Sequence, residues 1–198
     1  ASDATFEIDV WRYQHPDATR TVYLQAGIHG IELTGIPVVH EFMKEIEEHQ
    51  LTYNFICVPL SNPMGLDSQI MGVQTGYNNL HTNQQNCWNW NRITNLKDEP
   101  SQEGHWIKTL LDLSEPADVI LDLHTAGVET VPHIYYNETQ KEHAAGLGIP
   151  HMLAWSTPTQ SFADTNYQRG KVALTFELSS SRSVHGEWVK ESLIYLRR

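Results

Sequence analysis

His29 and Glu32, separated by Gly30 and Ile31, place an imidazole and a carboxylate three residues apart. On a first helical turn, or in a tight loop before one, both side chains converge on one point. Nitrogen plus carboxylate oxygen suits Zn²⁺, and a catalytic zinc takes three protein ligands and keeps a position for water. In a chain of 198 residues with 11 histidines, chance alone supplies about one such pair. The flanks must therefore carry the argument. Residues 21–26 form an apolar run, Gly27 and Gly30 permit a sharp turn, and a helical pattern follows. A histidine at the carboxyl end of a strand in an open α/β sheet lies where ligands collect.

Two more segments repeat that pattern. Residues 117–124 form a short apolar run ending in Asp122 and His124, followed by Thr125 and Gly127. Residues 171–177 form a β-branched and aromatic run ending on Glu177, followed by serines. Any one of these groups reads equally well as a polar strand end. Together they bring His29, Glu32, His124 and Glu177 to one edge of one sheet.

Length and composition set the frame for these residues. A chain of this length is expected to form one domain over residues 1–198 and to bury a core without staples. Its hydrophobic fraction of 40% is ordinary for a globular protein. No run approaches a membrane span. The net charge of −11 argues against nucleic acid and anionic membrane surfaces as partners. Between residues 49 and 168 the only fixed cations are Arg92, Lys97, Lys108 and Lys141, so an anionic substrate group must find one of these or a metal. Cys57, in an apolar run, and Cys87, in a polar one, are read as reduced thiols of a cytoplasmic protein. A single disulfide between them, and a periplasmic or secreted location, stay open.

The positioning elements follow from periodicity. Residues 5–13 alternate as an edge strand, and residues 30–50 carry Ile36, Val39, Phe42, Met43 and Ile46 at helical spacing. Residues 52–60 read as a buried strand and 61–97 as a long polar loop, a type that is usually functional. Residues 101–113 and 186–198 read as helices, 131–136 and 148–155 as strands, with a short helix over 138–145 between them. Strands alternating with helices imply an α/β fold with a mostly parallel sheet covered on both faces.

In these residues the chain resembles the zinc carboxypeptidase superfamily, nearest its succinylglutamate desuccinylase/aspartoacylase branch. The resemblance rests on four stretches in order. They are His29-Gly-Ile-Glu32, Asn62-Pro63 and Gly65 followed by Asn89-Trp-Asn-Arg92, Asp122-Leu-His124-Thr125 with Pro132-His133, and Thr175-Phe-Glu177-Leu178. It implies a three-layer α/β/α fold with a mixed, mostly parallel sheet. It also implies one Zn²⁺ held by His29, Glu32 and His124, with Glu177 as general base and acid. Asn91 and Arg92 would hold a substrate carboxylate. The implied reaction is hydrolysis of an amide to release an amino acid, from a peptide or from an N-acyl amino acid. Two departures stand out. The family's Asp-Leu before Asn-Arg is Asn89-Trp90 here, and the arginine eight residues before Arg92 is Gln84. Arg169, eight residues before Glu177, is a candidate replacement for that arginine.

The chemistry is that of a metallohydrolase. Zinc polarises a carbonyl and activates water, Glu177 moves the proton, and Arg92 grips a planar carboxylate in bidentate fashion. Asp122 is a candidate to orient a ligand imidazole. His81, His133, Tyr77, Tyr167, Trp88 and Trp90 are weaker candidates to meet substrate. The missing arginine at Gln84 motivates a rival reading, a non-catalytic, metal-containing binding domain of the same fold.

Overall fold

The computed structural model describes residues 5–67, 69–70, 73–74, 89–127, 130–179 and 183–198. In chain order the elements are β1 (Trp11–Tyr13), β2 (Thr21–Ala26), α1 (Gly35–His49), β3 (Asn54–Val58), α2 (Pro63–Asp67), and the short strands β4 (Gln69–Ile70) and β5 (Val73–Gln74). Then come α3 (Gln102–Ser114), β6 (Val119–Thr125), β7 (His133–Asn137), α4 (Lys141–Gly146), β8 (His151–Trp155), α5 (Phe162–Gln168), β9 (Val172–Leu178) and α6 (Gly186–Leu196).

Seven strands form one sheet in the order β1-β3-β2-β6-β9-β7-β8, and β4 pairs with β5 apart from it. The four central strands run parallel. Edge strand β1 is antiparallel to β3, and β7 is antiparallel to β9 while parallel to β8. The sheet is therefore mixed and mostly parallel, as the alternating pattern implies.

Each central strand is buried on both faces. Leu24, Leu121, Leu174 and Phe176 pack under Val39, Phe42 and Ile46 of α1 and Leu193 and Leu196 of α6. On the opposite face Tyr23, Ile120 and Ala173 pack against Ile107 and Leu110 of α3 and Phe162 and Ala163 of α5. These are the two helical layers of the α/β/α sandwich. No helix among the described residues is long and apolar enough to cross a membrane.

Several boundaries differ from the periodicity. Helix α1 begins at Gly35 rather than residue 30, because Gly27 turns the chain with φ +71° and the next seven residues form a loop. Of residues 5–13 only Trp11–Tyr13 pairs. The segment 61–97 is not uniformly loop: it contains α2, β4, β5 and two 3₁₀ turns, Trp90–Arg92 and Thr94–Leu96. Helix α5 carries little apolar periodicity, but Ser161 caps it by accepting from the Asp164 amide. Cys57 is a buried free thiol whose pKa burial pushes up to about 12, so it packs as a hydrophobe. Cys87 lies outside the described residues.

Candidate active site

The parallel register brings the sequence-predicted groups together. His124 of β6 stands opposite Glu177 of β9, and β2 beside β6 ends in the loop that bears His29 and Glu32. That loop is held from below. Asn62 Nδ2 donates to the Ile28 carbonyl at 3.0 Å while Asn62 Oδ1 accepts from the Gly65 amide at 2.9 Å. This explains the Asn-Pro-x-Gly stretch: it clamps α2 to the loop that carries the ligands. Gly30 is required by the same contact, since a Cβ there would lie 2.2 Å from the Gly65 carbonyl carbon.

His29, Glu32 and His124 are all buried, and one ligand atom from each lies within 4.8 Å of the others. His29 Nδ1 is 2.8 Å from Glu32 Oε1, and His124 Nδ1 is 2.9 Å from Glu32 Oε2. The far ring nitrogens are held as well. Asn89 Oδ1, oriented by the Asn91 amide that donates to it, is 2.8 Å from His29 Nε2. Asp122 Oδ2 is 2.9 Å from His124 Nε2. Both partners are acceptors, so each Nε2 carries the proton and each Nδ1 presents its lone pair to the Glu32 carboxylate. Facing acceptors at these distances need a positive centre between them, a proton or a metal ion. The donor set therefore fits a divalent cation, and two nitrogens with a carboxylate suit zinc.

The charges agree with this arrangement. Burial raises the pKa of Glu32, but His124 and His29 outweigh it and hold the carboxyl at about 2. For His124, burial lowers the pKa while Asp122 and Glu32 raise it, and the net shift is well upward. A metal entering here displaces that proton.

Glu177 behaves in the opposite way. Desolvation pushes its pKa up to about 7, with His124 pulling down and Glu32 pushing up. Its Oε2 is buried with no hydrogen-bond partner among the described residues, and so are Thr125 Oγ1 and Trp155 Nε1. All three residues line the cavity of about 400 Å³ that also holds His29, Glu32 and His124.

Arg92 lines the same cavity and is the one fixed cation among its described lining residues. Asn91 lines it too. Its Oδ1 accepts from the Phe162 amide at 2.7 Å, while its Nδ2, 3.2 Å from the proton-bearing Nε2 of His124, is a donor facing a donor and makes no hydrogen bond there. The structure does not bring Arg169 to this place. Val172 to Glu177 is extended strand, which puts about 17 Å between Arg169's end of β9 and the site. Its guanidinium donates to the Leu111 carbonyl and pairs with Glu115. Trp90 packs on Trp106, and Tyr167 meets Thr139 away from the cavity. Tyr77, His81, Gln84 and Trp88 lie outside the described residues. Asn89 and Thr125 belong to the motifs read from the sequence, without a role of their own, whereas Gln25, Tyr135 and Trp155 are revealed only by the register and the cavity.

The comparisons with known proteins agree with this geometry. A search of curated proteins returns no match. Among solved structures, a succinylglutamate desuccinylase/aspartoacylase family protein from Shewanella amazonensis is 24% identical with a TM-score of 0.73, over 95% of this chain and 66% of its own. A succinylglutamate desuccinylase/aspartoacylase from Rhodobacter sphaeroides is 19% identical with a TM-score of 0.78, over 98% of this chain and 58% of its own. The product-bound ectoine utilization protein EutE (DoeB) from Ruegeria pomeroyi is 20% identical with a TM-score of 0.76, over 95% and 58%. This chain thus spans roughly three-fifths to two-thirds of these neighbours' lengths. The family model for the succinylglutamate desuccinylase/aspartoacylase catalytic domain matches residues 18–193, and the chain belongs to that family of hydrolases.

Proposed function

We propose that residues 1–198 form a zinc-dependent catalytic domain that hydrolyses the amide bond of an N-acyl amino acid and releases the amino acid. The observation that carries this reading is Glu177. A carboxylate with a buried oxygen unpartnered among the described residues stands opposite His124, in the cavity shared with a metal-capable triad and Arg92. A merely structural site has no need of it.

His29, Glu32 and His124 would hold the ion, with Asn89 and Asp122 fixing the two rings. Zinc, when bound, supplies Lewis-acid polarisation of a carbonyl and makes water more acidic. Glu177 takes a proton from the attacking water and returns it to the leaving amine nitrogen, a task that favours a carboxyl titrating near neutrality. Arg92 binds the α-carboxylate of the amino acid, and its guanidinium is steered by donation of Nη1 to the Asn91 carbonyl at 2.6 Å. Asn91 ties the Arg92 turn to α5 through its Oδ1, which leaves its Nδ2 as a donor for the substrate carboxylate. The N-acyl reading is preferred over peptide cleavage because the family's named members are desuccinylases and aspartoacylases.

The test is a hydrolysis panel of N-acyl amino acids and short peptides with zinc-loaded protein. Release of free amino acid from the N-acyl compounds, abolished in Glu177→Gln, is expected. Zinc-loaded protein that hydrolyses neither class overturns the reading.

A further inference from the structure

One wall of the cavity is tied to the Arg92 segment. Phe162 N donates to Asn91 Oδ1 at 2.7 Å, and Thr94 Oγ1 donates to the Gln160 carbonyl at 3.1 Å. The stretch from Trp155 at the end of β8 to Phe162 at the start of α5 therefore abuts the turn that carries Arg92. With the α-carboxylate at Arg92 and the acylated nitrogen of the same carbon toward the metal-capable triad, the side chain is the group left to meet this wall.

The chemistry of the wall is neutral. Its described residues facing the cavity are Tyr135, Trp155, Thr159, Ser161 and Thr175, with Tyr135 and Thr175 in register across β7 and β9. The Thr159 hydroxyl is consumed locally, and that of Ser161 accepts twice. Thr159 Oγ1 donates to Ser161 Oγ at 3.0 Å, and Ser161 Oγ accepts from the Asp164 amide at 3.1 Å. Trp155 Nε1 is a group that can only donate, buried without a partner among the described residues. Charge completes the picture. Among the described lining residues Arg92 is the one fixed cation, and the α-carboxylate occupies it, while a bound ion's charge is taken up by Glu32 and the reacting carbonyl. A second carboxylate on the substrate would be desolvated with no cation of its own among the described lining residues, whereas a neutral carbonyl oxygen answers an indole N–H.

We infer that the released amino acid has an uncharged side chain ending in a hydrogen-bond acceptor, a carboxamide being the simplest, and that Trp155 selects it. This rests on the N-acyl amino acid reading above. It asks only for a small adjustment of the indole as the acceptor arrives.

The experiment titrates zinc-loaded protein calorimetrically with glutamine, glutamate and norleucine, products that need no turnover. The same three are then offered as N-acetyl substrates. Glutamine is expected to bind at least about tenfold tighter than glutamate, with kcat/KM following the same order. Trp155→Phe keeps the ring and removes the donor, so it should weaken glutamine about five- to tenfold and leave norleucine within about twofold. Glutamate binding as tightly as glutamine overturns the inference, and that comparison needs no variant. So does equal weakening of glutamine and norleucine in Trp155→Phe, or no glutamine binding at millimolar concentration. Selective glutamine binding without hydrolysis of any N-acetyl compound overturns the hydrolase reading instead and leaves the side-chain assignment standing.

Discussion

Gln25 Nε2 donates to Asp122 Oδ1 at 2.9 Å, and the two residues stand opposite each other on paired strands β2 and β6. Tyr23 Oη in turn donates to Gln25 Oε1 at 2.9 Å. One oxygen of Asp122 is thus held by the sheet, and the other holds His124 Nε2. A chain of buried hydrogen bonds from the core fixes which nitrogen of His124 faces Glu32. Such partners beyond the ligands are worth about 10–100-fold in metal affinity. Asp122→Ala should therefore weaken zinc by that amount, and Gln25→Ala by less, because Asp122 then keeps His124 but loses its own support. Competition against a chromophoric chelator reads both. Unchanged affinity in Asp122→Ala would show that His124 needs no such support.

Gly30 tests how far the ligand loop depends on α2. A methyl there meets the Gly65 backbone at 2.2–2.3 Å, and Leu66 N lies at 2.6 Å. Backbone cannot yield as a flexible side chain does, so Gly30→Ala should cost about 2 kcal/mol or more and move His29 and Glu32. Urea unfolding and zinc titration should report losses together. Gly127→Ala is the control: its Cβ meets nothing within 4 Å, and it should stay within about 0.5 kcal/mol of the parent.

The polar ends of apolar runs led from sequence to His29, Glu32, His124 and Glu177, because a parallel sheet delivers its carboxyl ends to one edge. Gln25 escaped notice for the same reason that those four did not. Within a strand a polar residue reads as solvent-facing, and only the register opposite Asp122 shows it fully buried. Trp155 sits on a strand two positions from β9 in the sheet though 22 residues from Glu177 in the chain. No spacing rule connects them. Arg169 misled in the reverse sense, since eight residues look close in sequence but β9 spends most of them fully extended. Helix α1 starts at Gly35, just before its first periodic residue Ile36, because the Gly30–Gly65 contact holds the preceding residues in a loop.

Arg92 separates positioning from chemistry. Among the described residues its exposed guanidinium is anchored only through the Asn91 carbonyl, so replacing it should leave the metal untouched. With α-carboxylate binding shared by ground and transition states, the loss falls on KM more than kcat. Arg92→Ala should raise KM about 100-fold and Arg92→Lys about tenfold, because an ammonium cannot make the bidentate contact. Steady-state kinetics on the best N-acyl substrate decides. A drop confined to kcat would move Arg92 from carboxylate binding to the reacting centre.

Glu177 links the mechanism to stability through one sign. Its folded pKa of about 7 lies above the ordinary value of 4.5, so the metal-free fold is favoured by a protonated Glu177 below about pH 4.5. That contribution is lost as pH rises through 7. A rise of this size corresponds to about 3 kcal/mol once both states are ionised. Glu177→Gln cannot ionise, so metal-free variant and parent should differ little near pH 5, and the variant should be the more stable by roughly that amount at pH 8. Urea midpoints at the two pH values, with chelator present, measure it. In the zinc-loaded protein a nearby divalent charge favours the carboxylate. The acidic limb of kcat/KM should accordingly fall below pH 7 rather than above it, and vanish with the activity in Glu177→Gln. A Glu177→Gln protein that keeps its turnover, or a stability difference that shrinks toward alkaline pH, would remove Glu177 from the proton's path.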